Sequence, residues 1–181
     1  MRFLSEDEAR VWYPSNALPA LNAPMPNVHH LDFFFKDVSA IDFLWLGGRL
    51  ADALGPWDEC MLWVTQSAIW AENLHLYYRL RQAYGDVRLL REAPCHLFLD
   101  FEEADLRTFL SVGLLNGWDM HLVTTHDYAQ VFVSHDGWAA VTANQASQLD
   151  VLKAALAAKP VPFTVSGPTL EPAAGLNEPN E

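Results

Sequence analysis

Two short apolar runs constrain the fold of this chain more than any other feature of its sequence. They are CMLWV at residues 60–64 and CHLFL at residues 95–99. Each run has the length of a strand, and neither alternates between apolar and polar side chains, which is typical of a strand buried on both faces. Such strands need helices above and below them. We therefore expect an α/β fold.

Helical signals separate these runs. Ser39 and Asp42 have the spacing of an N-cap and its partner before a segment that runs to Gly55, and Gly85 and Gly117 end two further helical patterns. The predicted order is one helix followed by β-α-β-α-β-α-β-β-α. Helices between strands favour right-handed crossovers within one sheet. We expect a mixed sheet of about five strands covered by helices, at the border between α/β and α+β, with a C-terminal hairpin and helix.

The length of 181 residues suits a single domain. We expect this domain to span residues 1–166, with a proline-rich connector at residues 14–27 and a flexible tail at residues 167–181. Near the end of the domain, Phe163 and Val165 alternate as they would in an edge strand or a short clasp.

A pair of glycines, Gly47 and Gly48, falls within the second predicted helix. The pair lacks the preceding strand and the Lys-Ser/Thr of a P-loop, so it does not indicate a phosphate site. We expect it to permit close packing against a neighbouring element. No motif in the chain predicts a cofactor.

The charge balance is 11 basic against 23 acidic residues, a net charge of −12. This charge opposes binding to nucleic-acid phosphates and to anionic lipid, and it suits a basic protein partner. No apolar run reaches the roughly 18 residues of a membrane span. The N-terminus lacks the apolar region of a signal peptide, so we expect a cytoplasmic protein. Cys60 and Cys95 are expected to be buried free thiols.

The stretch NGWDMHLVTTHDYAQVFVSHDGW, at residues 116–138, concentrates three histidines and three aspartates. Its two apolar runs predict a hairpin. Because alternate side chains in a strand share a face, the apolar set goes to the core and a polar set goes to the outer face. That polar set consists of Asp119, His121, Ser134 and Asp136.

A turn at residues 127–128 would place His121 opposite Ser134, and Asp119 opposite Asp136. Asp119, His121 and Ser134 are the residue types of a catalytic triad, in which His121 is the base and Asp119 orients it. The chain has no GxSxG elbow to mount such a nucleophile. A small hydrolase or small-ligand enzyme with a pocket near this hairpin is therefore the alternative function.

Metal binding is a third hypothesis, in which His126 and Asp127 would hold zinc or a similar ion with a residue from elsewhere. The remaining histidines have no ligand spacing, and we assign no metal ligand.

Tryptophans at the ends of elements are suited to anchor a partner protein. The third predicted helix has an unusual local set of basic and aromatic side chains, and we expect its arginines to pair with the acidic surface. Glu72, Asn73 and Tyr77 lie near a single face of this helix. The predicted binding residues are Trp70, Glu72, Tyr77, Asp119, His121, Asp136 and Trp138.

The segments ENLHLYYRLRQAYGD, APCHLFLDFEEADL and GWDMHLV together with VSHDGW resemble a pattern found in small bacterial proteins, some of them similar to immunity proteins of secreted toxins. The resemblance covers about residues 57 to 138 and supplies no functional residues. It implies a compact, non-enzymatic binder. We therefore expect a protein that binds another protein, with immunity to a basic toxin as the most concrete form, and we leave homo-oligomerisation open.

Overall fold

The computed structural model describes residues 1–16, 18, 28–35, 38–125, 128–159 and 163–165. Their backbone forms helices around one eight-stranded sheet. The strands are β1 (Arg2–Leu4), β2 (His29–Phe35), β3 (Glu59–Gln66), β4 (Cys95–Leu99), β5 (Asp119–Thr124), β6 (Ala129–Ser134), β7 (Trp138–Ala143) and β8 (Phe163–Val165). The helices are α1 (Glu6–Ser15), α2 (Ala40–Ala53), α3 (Ala71–Ala83), α4 (Glu103–Leu115) and α5 (Ala146–Ala158).

The strands lie in the order β1-β4-β3-β5-β6-β7-β2-β8, and every neighbouring pair is antiparallel. The predicted mixture of helices and strands is confirmed. The prediction of a mixed sheet of about five strands is wrong, because α2, α4 and α5 connect strands that run in the same direction but are not neighbours, and at least one antiparallel strand lies between them in the sheet. Hydrophobic periodicity carries no information about strand direction.

Three strands account for the difference between the eight strands observed and the five predicted. β1 has three residues and was not predicted. β7 was not predicted either; it occupies Trp138–Ala143, and the last helix begins only at Ala146. β8 pairs with β2, which confirms the edge strand predicted from Phe163 and Val165.

Four helices, α2 to α5, pack on one face of the sheet, which we call the inner face. Alternate residues of the strands point into this main core, among them Phe33, Leu62, Phe98 and Val131, and each of these four side chains is buried. α2 and α4 pack closely because Gly47 faces Ser111, and a Cβ atom at Gly47 would lie 2.8 Å from the Ser111 hydroxyl oxygen. The close packing predicted for this glycine is confirmed.

Helix α1 lies on the opposite, outer face. Its Trp12 and Tyr13 pack with outward-facing residues of β3, β4 and β5, such as Trp63 and Val123, in a second, smaller cluster. The indole N–H of Trp12 donates a hydrogen bond to Glu59, with 2.6 Å between nitrogen and oxygen. α1 thus covers one half of the outer face.

The cysteines and the end of α1 can also be compared with their predictions. Cys60 and Cys95 are buried free thiols, as predicted. Pro14 lies within the last turn of α1, so the proline-rich connector begins two residues later than predicted. Most of that connector and residues 166–181 lie outside the described residues. Within the described part of the chain, no helix is long and apolar enough to cross a membrane.

Candidate functional site

The other half of the outer face, formed by β6, β7 and β2, receives no contact from α1 in the described clusters. We call this surface the open face. Cross-strand pairing arranges its nine outward residues in three rows of three. The rows are Ser134, Trp138 and Phe34; then Phe132, Ala140 and Asp32; and finally Gln130, Thr142 and His30.

Aromatic side chains occupy the first two rows of the open face, next to the β6–β7 turn. The rings of Phe132 and Trp138 have centroids 4.9 Å apart, and Phe132 also contacts the His121 ring at 4.6 Å. Phe34 pairs with Trp138 across the strands and is 44% exposed. The uncovered face of an antiparallel sheet usually carries polar residues, so this aromatic strip needs an explanation.

Carboxylates surround the aromatic strip. Asp32 lies in the open face and contacts His30 at 2.8 Å. Asp136 lies in the turn between β6 and β7, and its side chain is 73% exposed. Asp119, at the start of β5, is the most enclosed of the three, with a side chain that is 16% exposed. The rim of the open face is therefore acidic.

Asp119 binds His135 at two points. Its Oδ1 accepts a hydrogen bond from the backbone N–H of His135 at 2.7 Å and contacts the ring Nδ1 at 2.8 Å. The hydrogen bond with Asp119 raises the pKa of His135 above the ordinary value for histidine. Because Asp119 accepts at Nδ1, the Nε2 atom is left to face Asp136, 3.5 Å away.

His121 has the opposite environment. It is only 6% exposed, and burial lowers its pKa to about 4 despite the attraction of Asp119. Its Nδ1 is buried without a hydrogen-bond partner among the described residues. A histidine with this pKa is a weak base near neutral pH.

The structure shifts the predicted hairpin register by two residues. His121 lies opposite Phe132, not opposite Ser134 as predicted. An even shift preserves the side of the sheet to which each residue points, so Asp119, His121 and Ser134 do share the outer face. Asp136 does not pair with Asp119, because it belongs to the turn and not to β6. Asp119 thus orients His135, and His121 does not complete the expected triad.

The predicted binding residues on and near α3 separate into two groups. Trp70 is 61% exposed and Glu72 is exposed. Tyr77 is 3% exposed and points into the core, where burial raises its pKa to about 12. Its hydroxyl accepts a hydrogen bond from the buried Arg81 at 3.0 Å. Tyr77 therefore cannot contact a partner protein at the surface. Its role is to anchor α3 to the sheet.

No group of three or more histidine, cysteine, aspartate or glutamate side chains is arranged to hold a metal ion among the residues that the structure describes. The hypothesis of a metal at His126 and Asp127 lies outside those residues.

Sequence reasoning missed three residues of the site: Phe34, Phe132 and His135. The signal for His135 was the HDG triplet between two apolar runs, because an Asp-Gly pair in that context marks a hairpin. Gly137 has a φ of 81°, and its N–H donates to the Ser134 carbonyl at 3.1 Å. Phe34 and Phe132 gave no signal, because a strand sequence does not reveal which half of a sheet face a helix will cover.

Comparison of the chain with known protein families, curated proteins and solved structures found no match.

Proposed function

We propose that the protein acts by binding another protein through the open face. The observation that carries this proposal is the aromatic strip of Phe132, Trp138 and Phe34 on a sheet surface that α1 leaves uncovered. Protein interfaces are enriched in aromatic residues at their centre and have a polar rim. The open face has such an aromatic strip, with Asp119 and Asp136 beside it and Asp32 in the adjoining row. A typical interface buries about 800 Å² on each partner. The nine outward residues of the open face would therefore form the centre of an interface, and neighbouring residues would supply the rest of its area.

The charge favours a basic partner. The chain carries a net charge of −12, and Asp32, Asp119 and Asp136 lie around the aromatic strip. An acidic rim steers a basic protein towards the face and disfavours acidic competitors. Immunity to a basic toxin is the most concrete form of this proposal. Association with a second copy of the chain is less favoured, since two like-charged faces repel each other.

The enzyme alternative has weaker geometric support. It requires His121 to act as a base oriented by Asp119, whereas Asp119 contacts the ring of His135, and the ring of His121 packs against Phe132 at a tilt of 46°. Ser134 accepts a hydrogen bond from the backbone N–H of Asp136 at 3.2 Å, which occupies its oxygen with a turn contact. We therefore assign no catalytic role to Asp119, His121 and Ser134.

The proposal can be tested by affinity capture with the product of a neighbouring gene expressed beside the protein in the source cell. The decisive comparison uses two double variants. The first, Phe34→Ser with Trp138→Ser, removes aromatic side chains from the open face. The second, Ile41→Ser with Val151→Ser, removes exposed apolar side chains from α2 and α5, away from that face.

We expect the wild-type protein and the α2/α5 variant to capture the same partner, and the open-face variant to lose it. The proposal fails if no partner is captured by the wild-type protein, or if both double variants capture it equally well. Circular dichroism of each variant checks that the fold is retained.

A further inference from the structure

A cavity of about 260 Å³ lies between the β6–β7 turn and the helices of the inner face. Buried apolar side chains, including Leu114, Trp118 and Val133, line it, and Phe43 of α2 closes one side. Its volume is just below the roughly 300–1,000 Å³ of typical small-molecule sites. A ligand with one ring and a short arm would fill it. This cavity adjoins the open face at the β6–β7 turn, because its lining includes both Val133, which points to the inner side of the sheet, and Ser134, which belongs to the open face.

Two polar side chains, His135 and Asp136, stand at the mouth of this cavity. Asp119 holds the His135 ring by its Nδ1, which fixes the orientation of the ring and leaves Nε2 as the second contact point. The Asp136 carboxylate lies 3.5 Å from Nε2, which is longer than a good hydrogen bond. Its 73% exposed side chain is therefore able to accept hydrogen bonds from a ligand.

The arrangement selects for a particular ligand chemistry. The exposed Asp136 carboxylate matches a group that has several donors and a positive charge. Among the described residues at the mouth, the carboxylates of Asp119 and Asp136 flank the His135 imidazole, and this arrangement disfavours an anionic ligand. The apolar lining beneath requires a hydrophobic body. A primary ammonium attached to an aromatic ring by a short chain satisfies both requirements.

We propose that this cavity binds small arylalkyl amines, with the ring among Phe43, Leu114 and Trp118 and the ammonium group on Asp136. The ring would lie on the inner side of the sheet, so this binding requires no protein partner, although Asp136 also lies beside the open face.

Phenethylammonium is a suitable probe, and phenylethanol is its uncharged counterpart of equal size. Titrations followed by amide NMR would use the full chain as wild type and as two single variants. Asp136→Asn removes the proposed counter-charge. Asp150→Asn removes an exposed carboxylate from α5 and serves as the matched control. A third variant, Val38→Trp, is designed to fill the cavity.

We expect phenethylammonium to produce saturable shifts at residues 134–137 and to bind about tenfold more tightly than phenylethanol, as one charge-assisted hydrogen bond implies. Asp136→Asn should remove this advantage, Asp150→Asn should retain it, and Val38→Trp should weaken both probes. The proposal is overturned if neither probe gives saturable shifts there, if the amine binds no better than the alcohol, or if the two aspartate variants behave alike.

Discussion

His121 and His135 both interact with Asp119, yet their environments have opposite effects on protonation. The Asp119 carboxylate holds the exposed His135 ring and raises its pKa, whereas burial against Phe132 lowers the pKa of His121 to about 4. Proximity to a carboxylate therefore does not decide the charge of a histidine when the ring is also removed from water.

This contrast predicts the order of titration. Histidine ring signals in proton NMR should show His135 protonating above pH 6.5, its ordinary value, and His121 remaining neutral until about pH 4. Asp119→Asn should lower the pKa of His135, because that variant removes both the hydrogen-bonded acceptor and the charge. A pKa of His121 in the ordinary range would contradict its burial.

The buried histidines also predict how stability depends on pH. Burial lowers the pKa of His96 to about 3 and that of His121 to about 4, from an ordinary value of 6.5. Below pH 6.5 the unfolded chain binds protons that the folded protein excludes, so the free energy of unfolding should fall as the pH drops towards 4. At about 1.4 kcal/mol for each pKa unit, the share of His121 is roughly 3 kcal/mol.

Urea unfolding at pH 7 and pH 4.5 measures this effect. His121→Gln should flatten the difference between the two pH values, whereas His75→Gln, at an exposed position on α3, should leave it unchanged. Equal pH dependence in the wild type and in His121→Gln would show that His121 is protonated in the folded protein.

At the scale of elements, the contact between α2 and α4 depends on the absence of one side chain. A Cβ at Gly47 would lie 2.8 Å from Ser111 Oγ, whereas a Cβ at Gly48 would meet only the flexible end of Arg107, at 3.3 Å. Gly47→Ala should therefore lower the free energy of unfolding by about 1–3 kcal/mol, as in other overpacked cores.

Gly48→Ala is the matched control. Alanine is favoured over glycine within a helix by up to about 1 kcal/mol, so this variant should be neutral or slightly stabilising. Thermal or urea unfolding of the two variants measures the change in the free energy of unfolding. Equal effects at both positions would mean that α2 and α4 do not approach as closely as the structure indicates.

Local chemistry predicted most of the elements but not their arrangement. The Ser39–Asp42 capping box begins α2 as expected, and strand alternation assigned Asp119 and His121 to the correct face. The two-residue error in register arose because pleat alternation is unchanged by an even shift. Strand direction and the edge strand β1 depend on contacts distant in sequence, and no local pattern specifies them.

The buried Arg81 shows a second limit. Sequence reasoning treated the arginines of α3 as surface residues, yet Arg81 is fully buried and forms an ion pair with Asp86 at 3.2 Å. Its guanidinium carbon also lies 4.3 Å from the centre of the Phe3 ring, which links α3 to β1. Arg81 follows Tyr77 by four residues and so lies on the same face of the helix. The sequence does not reveal, however, that a charged residue will have an ion-pair partner in the core.

At the scale of the whole molecule, the described residues place one short helix, α1, on the outer side of the eight-stranded sheet, and this helix covers only part of that side. The net charge of −12 and the carboxylates near the open face together predict electrostatic steering of a basic partner. The association rate constant with the captured partner should fall about tenfold or more between roughly 50 and 500 mM salt.

Stopped-flow measurements test this steering. Asp136→Asn should slow association more than Asp150→Asn does, with little change in dissociation, since exposed rim charges act mainly on encounter. An association rate that is independent of salt would indicate that charge plays no part in partner choice.

The most direct test of the open face as a protein-binding surface is hydroxyl-radical footprinting of the protein, free and bound to its captured partner. Trp70 on the α3 side is 61% exposed and acts as an internal reference, while Trp138 and Phe34 report on the open face. We predict that oxidation of Trp138 and Phe34 falls several-fold in the complex while oxidation of Trp70 is unchanged. Protection of Trp70, with Trp138 and Phe34 as reactive as in the free protein, would contradict the proposal.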